Sequence, residues 1–119
     1  MYEIEATVIH GRKLGRDLGF PTANMAVEGN YDIEYGVYRS SVVVDGVRYR
    51  AMSNFGVRPS VDGSVLRLET HIIGYEGDLY GRRLTIRLEA KLRDEKKFES
   101  LDALREQLKR DYDMVVAHK

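Results

Sequence analysis

Residues 83–92 alternate without a fault. Leu84, Ile86, Leu88, Ala90 and Leu92 fall on one side, and Arg83, Thr85, Arg87, Glu89 and Lys91 on the other. Successive side chains leave a strand on opposite faces, so this pattern predicts a strand with one apolar and one wet face. Such a strand cannot stand alone, because its apolar face needs a core and its edges need partners. The chain provides both. Residues 2–9 repeat the alternation, with Tyr2, Ile4, Ala6 and Val8 against Glu3, Glu5 and Thr7. Residues 64–73 place Leu66, Leu68, Thr70 and Ile72 opposite Arg67, Glu69 and His71. Residues 35–44 are β-branched and aromatic, and Asp45-Gly46 divides them from a second apolar run at 47–52. An Asp-Gly pair there predicts a tight hairpin, whose two central residues need positive φ.

The period changes near the C-terminus. Ser100 is a helix N-cap candidate, Asp102 suits the positive end of a helix dipole, and Leu101, Leu104, Leu108 and Val115 follow a helical stripe. Lys109 and Arg110 come late, where cations favour a helix end. Five or six short, hairpin-linked strands followed by one helix predict an all-β closed antiparallel barrel, which removes exposed strand edges, with the helix covering one side.

Composition narrows the function. A chain of 119 residues is expected to form one domain over 1–119. Nineteen basic residues balance 19 acidic ones, which argues against a dedicated nucleic-acid or membrane-surface protein. There is no cysteine, which excludes disulfides, thiolate metal sites and a cysteine nucleophile. His10, His71 and His118 lack metal-ligand spacing. No apolar run is long enough to span a bilayer and the N-terminus lacks a signal-peptide pattern, so the expected location is cytoplasmic.

Residues 10–24 read as neither regular strand nor helix. Gly11, Gly15 and Gly19 allow close backbone approach, and Arg12, Lys13 and Arg16 add three positive charges. Pro21 fixes the chain direction before Thr22 and Asn24. Backbone N–H groups of such a loop can hold phosphate. Thr22 and Asn24 offer two neutral oxygens, which suits Mg²⁺ completed by substrate phosphates. The spacing is neither the P-loop nor the dinucleotide fingerprint, and a basic glycine-rich loop is more often a solvated connection. Residues 25–35 and 54–63 read as irregular.

Several motifs in order carry a resemblance. They are residues 15–24 (Gly-Arg-Asp-Leu-Gly-Phe-Pro-Thr-Ala-Asn), Tyr35-Gly36-Val37-Tyr38, and Asn54-Phe55-Gly56-Val57-Arg58-Pro59-Ser60. Glu69-Thr70-His71, Asp78-Leu79-Tyr80-Gly81 and Leu92-Arg93-Asp94-Glu95-Lys96-Lys97-Phe98 follow. The chain resembles riboflavin kinases, including the C-terminal module of bacterial bifunctional riboflavin kinase/FAD synthetases. The resemblance implies a six-stranded Greek-key barrel and Mg²⁺-dependent transfer of the ATP γ-phosphate to the riboflavin 5′-hydroxyl, giving FMN. It implies Glu69 as the base and Thr22 and Asn24 as metal ligands. It implies a nucleotide and phosphate site at Gly11, Gly15, Arg16, Gly19, Pro21, Thr22, Asn24 and Asn54. Phe20, Arg93, Asp94 and Glu95 are expected near the flavin. The implied partners are riboflavin and ATP, with no nucleic acid and no membrane, and a FAD synthetase domain if the chain belongs to a longer one. Phe55 stands where the family has a smaller aliphatic residue, and Ser60 where threonine is common.

Each residue has a plainer reading. Glu69 on its own is a solvated strand carboxylate, and Thr22 and Asn24 are turn-capping side chains. Arg16 reads as well as an exposed arginine as it does a phosphate contact. His71 reads as a strand-face residue, His10 as a strand cap, and Tyr35 and Tyr38 as packing residues. Arg93 and Glu95 read equally as an ion pair before the helix. Two other functions compete with the kinase: a catalytically silent flavin- or nucleotide-binding barrel, and a barrel for single-stranded nucleic acid, which neutral charge disfavours.

Overall fold

The computed structural model describes residues 1–11, 18–29 and 31–117. The loop residues Arg12, Lys13, Gly15 and Arg16, and also His118, lie outside the described residues. Among the described residues there are six strands, β1 (Tyr2–Ile9), β2 (Ala23–Ala26), β3 (Gly36–Val44), β4 (Val47–Ser60), β5 (Gly63–Ile72) and β6 (Arg83–Arg93). One helix, α1 (Leu101–Ala117), follows. The strands close into an antiparallel barrel in the order β1-β2-β5-β4-β3-β6. Three hairpin-linked strands, β3, β4 and β5, are joined by β6 returning beside β3, which is a Greek key. Among the described residues no helix is long and apolar enough to cross a membrane.

The period-two pattern decides which side chains fill the barrel. Ile4, Ala6 and Val8 of β1, Leu68 of β5, and Leu84, Ile86 and Leu88 of β6 are all buried. Burial of each large aliphatic contributes roughly 1.5–3 kcal/mol against leaving it exposed. Phe55, the largest of the fully buried side chains, meets Tyr35 edge-on with ring centroids 5.7 Å apart. It therefore fills the interior and does not line a cleft. The polar faces are knitted across strands: Arg83 binds Glu5 at 2.6 Å, and Glu89 accepts from Ser41 and Arg48.

Asp45 and Gly46 have φ of 51° and 82°, and Val44 pairs with Val47, so the expected tight hairpin is present. Two segments expected to be irregular are strands. Ala23–Ala26 forms β2, which bridges β1 and β5 and closes the barrel. Residues 54–60 continue β4 in unbroken register with β5, through Ser60↔Gly63. Gly56 and Pro59 suggested a break. However, the β3 partner ends at Gly36↔Phe55, so beyond it β4 is paired on one side only, where proline is tolerated.

Ser100 caps α1. Its Oγ accepts from the Ala103 amide at 3.1 Å, and its carbonyl accepts from the Leu104 amide. Ser100→Ala is expected to cost about 1 kcal/mol, read as a lower urea midpoint at unchanged slope. The buried stripe differs from the expected one. Leu101 is exposed, whereas Asp111 and Val115 are buried. The helix runs past Lys109 and Arg110 to Ala117, so its last turn holds no basic residue.

Candidate active site

β2, β5 and β4 lie side by side, and their register makes a row. Glu69 of β5 is the cross-strand partner of Asn24 on one side and of Asn54 on the other. Directly opposed residues in antiparallel strands have Cα atoms ~4.5–5.5 Å apart, so these three side chains form one polar strip. The interior residues Met25, Phe55 and Leu68 alternate with them, which turns the strip to the outside of the barrel.

Two clefts flank this strip. The larger, about 670 Å³, lies between the β4–β5 face, α1 and residues 93–98. Its lining includes Phe20, Thr22, Asn54, Arg58, Glu69 and Glu95. The smaller, about 390 Å³, is lined by His10, Gly11, Pro21, Thr22, Asn24 and Tyr80, among others. Both volumes lie in the range of small-molecule sites, ~300–1,000 Å³. Thr22 lines both clefts, so residues 20–24 form the partition between them.

Two glycines make room around the partition. A Cβ on Gly11 would collide with the Asn24 carboxamide, so a bare backbone is what lets Asn24 occupy its place. A Cβ on Gly56 would collide with the Glu95 carboxylate in the same way. His71 steadies the partition from below. Its Nδ1 lies 2.7 Å from the Pro21 carbonyl, which can only accept, so the ring nitrogen donates. Phe20 packs edge-on to His71 and to Tyr112 of α1, at 5.5 and 6.1 Å.

The far wall is held by an ion pair. Arg93 grips Asp111 through Nε at 2.9 Å and Nη2 at 2.8 Å, and Gln107 adds a third donor at 3.0 Å. Asp111 is only 1% exposed. This locks α1 to the end of β6 and sets Leu104 and Leu108 against the large cleft. On the floor, Arg58 contacts Glu69 at 2.6 Å and Glu95 at 2.9 Å. Burial opposes the charge on Arg58, but the hydrogen bonds and charges of Glu69 and Glu95 outweigh it and raise its pKa.

The expected site residues thus fall into groups. Thr22, Asn54 and Glu69 share the large cleft with Phe20, Arg93 and Glu95, and Gly11, Pro21, Thr22 and Asn24 share the small one. Gly19 lies on an adjoining groove beside Phe20 and Tyr112. Asp94 lines neither cleft. It is 85% exposed and pairs with Lys91, which lowers its pKa. Arg58, Asp111 and the Lys96–Phe98 stretch line the cleft without having been singled out. Asp111 had a signal, an acid seven positions after Leu104 on an apolar helical stripe. Arg58 had its place in the motif at 54–60.

Neutral oxygens dominate the donor set at the partition. Asn54 Oδ1 is buried and has no hydrogen-bond partner among the described residues, so it is an acceptor open to a ligand. Among the described residues no group of three or more His, Asp or Glu could hold a metal. Thr22, Asn24 and Asn54 with a single carboxylate fit a hard cation whose shell is completed by phosphate oxygens.

A family model described as Flavokinase, riboflavin kinase, matches residues 1–118. The chain belongs to the riboflavin kinase family. A bifunctional riboflavin kinase/FMN adenylyltransferase from Pseudomonas fluorescens is 43% identical over 92% of this chain and 36% of its own length. An RNA-binding riboflavin kinase from Bacillus subtilis is 34% identical over 94% of this chain and 49% of its own. Among solved structures, a Streptococcus pneumoniae protein described as a macrolide-efflux protein is 33% identical, with a TM-score of 0.88, over 98% of this chain and 39% of its own. The chain therefore spans between about a third and a half of these relatives' own lengths.

Proposed function

We propose that this riboflavin kinase family member transfers the γ-phosphate of ATP to the 5′-hydroxyl of riboflavin, giving FMN and ADP. One observation carries the reading: two ligand-sized clefts meet at Thr22, with Glu69 in one and its cross-strand partner Asn24 in the other. Two substrates seated in such clefts would meet at one point, which is what in-line phosphoryl transfer requires.

The large cleft suits a tricyclic flavin. Phe20 and Phe98 supply aromatic surface, Leu104 and Leu108 an apolar wall, and Glu95 and Lys97 polar contacts. Glu69 accepts the hydroxyl proton as the hydroxyl oxygen attacks the γ-phosphorus, and the bond to the ADP oxygen breaks. The small cleft takes the nucleotide. There His10 and Tyr80 stack at 3.7 Å and offer a flat aromatic edge. Thr22 and Asn24, together with the nucleotide phosphates, would hold Mg²⁺, which when bound neutralises phosphate charge. Gly11 and Gly19 border the loop whose Gly15 and Arg16 we assign to the phosphates.

The partners proposed are riboflavin and ATP. The outer sheet face favours no nucleic acid, since Arg48, Arg82 and Arg83 each bind a carboxylate there. Asn24→Ala tests the nucleotide assignment. The KM for Mg-ATP should rise about tenfold or more while riboflavin affinity, measured by flavin fluorescence quenching, changes less than threefold. Equal losses for both ligands would contradict the division of the two clefts.

A further inference from the structure

Arg58 stands between two carboxylates brought from different elements. Glu69 comes from β5 and Glu95 from the segment after β6, while Arg58 itself projects from the half-paired end of β4. Nη2 binds Glu69 Oε1 at 2.6 Å, and Nη1 binds Glu95 Oε2 at 2.9 Å. All three side chains are only 22–28% exposed and line the large cleft. The missing Cβ of Gly56, two residues before Arg58, is what admits Glu95 to this contact.

We infer that Arg58 is a positioning residue, a two-armed clamp that aims the Glu69 carboxylate at the reacting hydroxyl and anchors itself on Glu95. The inference rests on the proposed role of Glu69 as base. A guanidinium suits the task because its fork presents separate N–H groups in a fixed plane, so one head can hold two carboxylates at once. The clamp takes one oxygen of Glu69 and leaves the other for the substrate. A lysine head keeps the charge but not the planar fork, so it restores only part of the geometry.

Four variants separate this from a purely structural role. In Arg58→Gln, kcat for riboflavin phosphorylation should fall about 10- to 100-fold, the scale expected when a reacting group is misplaced by ~1 Å. The riboflavin KM should change less than threefold and the melting temperature by only a few degrees. Arg58→Lys should recover part of kcat. Glu95→Gln should lower kcat less, and the Arg58→Gln/Glu95→Gln double variant should lose no more than Arg58→Gln alone, since both act through one clamp. The same proteins are crystallised, and the Glu69 side chain should leave its rotamer in Arg58→Gln.

Unchanged kcat in Arg58→Gln, or an additive double variant, would overturn the clamp. So would a Glu69 carboxylate that stays in place without Arg58. Glu69→Ala is the control for the underlying assignment. If it keeps full turnover, the base is misassigned, and the crystallographic arm still decides whether Arg58 holds Glu69.

Discussion

Glu69→Ala is expected to lower kcat for FMN formation by about 10²–10⁴-fold, the usual contribution of a positioned general base. Riboflavin affinity should change only a few-fold. The side chain is a single partner on the cleft floor, and the apolar wall from α1 and the aromatic edge of Phe20 remain when it is removed. The fold should survive as well. Arg58 loses one carboxylate but keeps Glu95 at 2.9 Å, so no cation is stranded. Thr70, the adjacent interior residue, keeps its hydrogen bond to Ser53 at 2.8 Å. Steady-state kinetics beside flavin fluorescence titration checks this. A variant that loses binding and turnover in equal measure would make Glu69 a binding residue.

Arg93→Ala is expected to destabilise the protein by about 3–5 kcal/mol, the range for breaking a buried ion pair from one side. Asp111 is 1% exposed and takes contacts on both oxygens from Arg93, with the Gln107 amide its one further side-chain donor among the described residues. Removing the guanidinium leaves a buried carboxylate with one neutral donor. Because the pair ties α1 to β6, the loss should also loosen the Leu104 and Leu108 wall and weaken riboflavin binding. Replacing both partners by apolar residues, Arg93→Met with Asp111→Leu, should recover most of the stability, since two matched apolar groups leave no charge uncompensated. Urea unfolding of the two variants measures both effects. A loss below about 1 kcal/mol in Arg93→Ala would show that the pair does not hold the helix.

The barrel was legible because its strands are half-buried. Alternation in β1, β5 and β6 names the interior residues, and Asp45-Gly46 names the tightest turn, both through local geometry. β2 was hidden, because four residues are too few to display a period, and Gly19 and Pro21 just before it look like loop punctuation. The second half of β4 was hidden for a related reason. Gly56 and Pro59 are strand breakers in a fully paired strand, and nothing local says that pairing with β3 ends opposite Phe55. At the site, Glu69, Thr22 and Asn24 were legible through their motifs, and the barrel's register brings Asn24, Glu69 and Asn54 into one row. Arg58 lies in a motif and Asp111 on the helical stripe, but their pairings were not legible, because the partners come from distant elements, Glu95 for one and Arg93 for the other. Asp94 shows the opposite case. Its neighbours Arg93 and Glu95 face the cleft, while its own side chain turns out to Lys91.

The most direct test of the central claim is to incubate the purified protein with riboflavin, ATP and Mg²⁺ and to separate the flavins chromatographically. We predict FMN and ADP in equal amounts, dependent on all three additions. Riboflavin that binds in the large cleft yet is recovered unphosphorylated from a folded protein would contradict the account and leave a flavin-binding barrel without turnover.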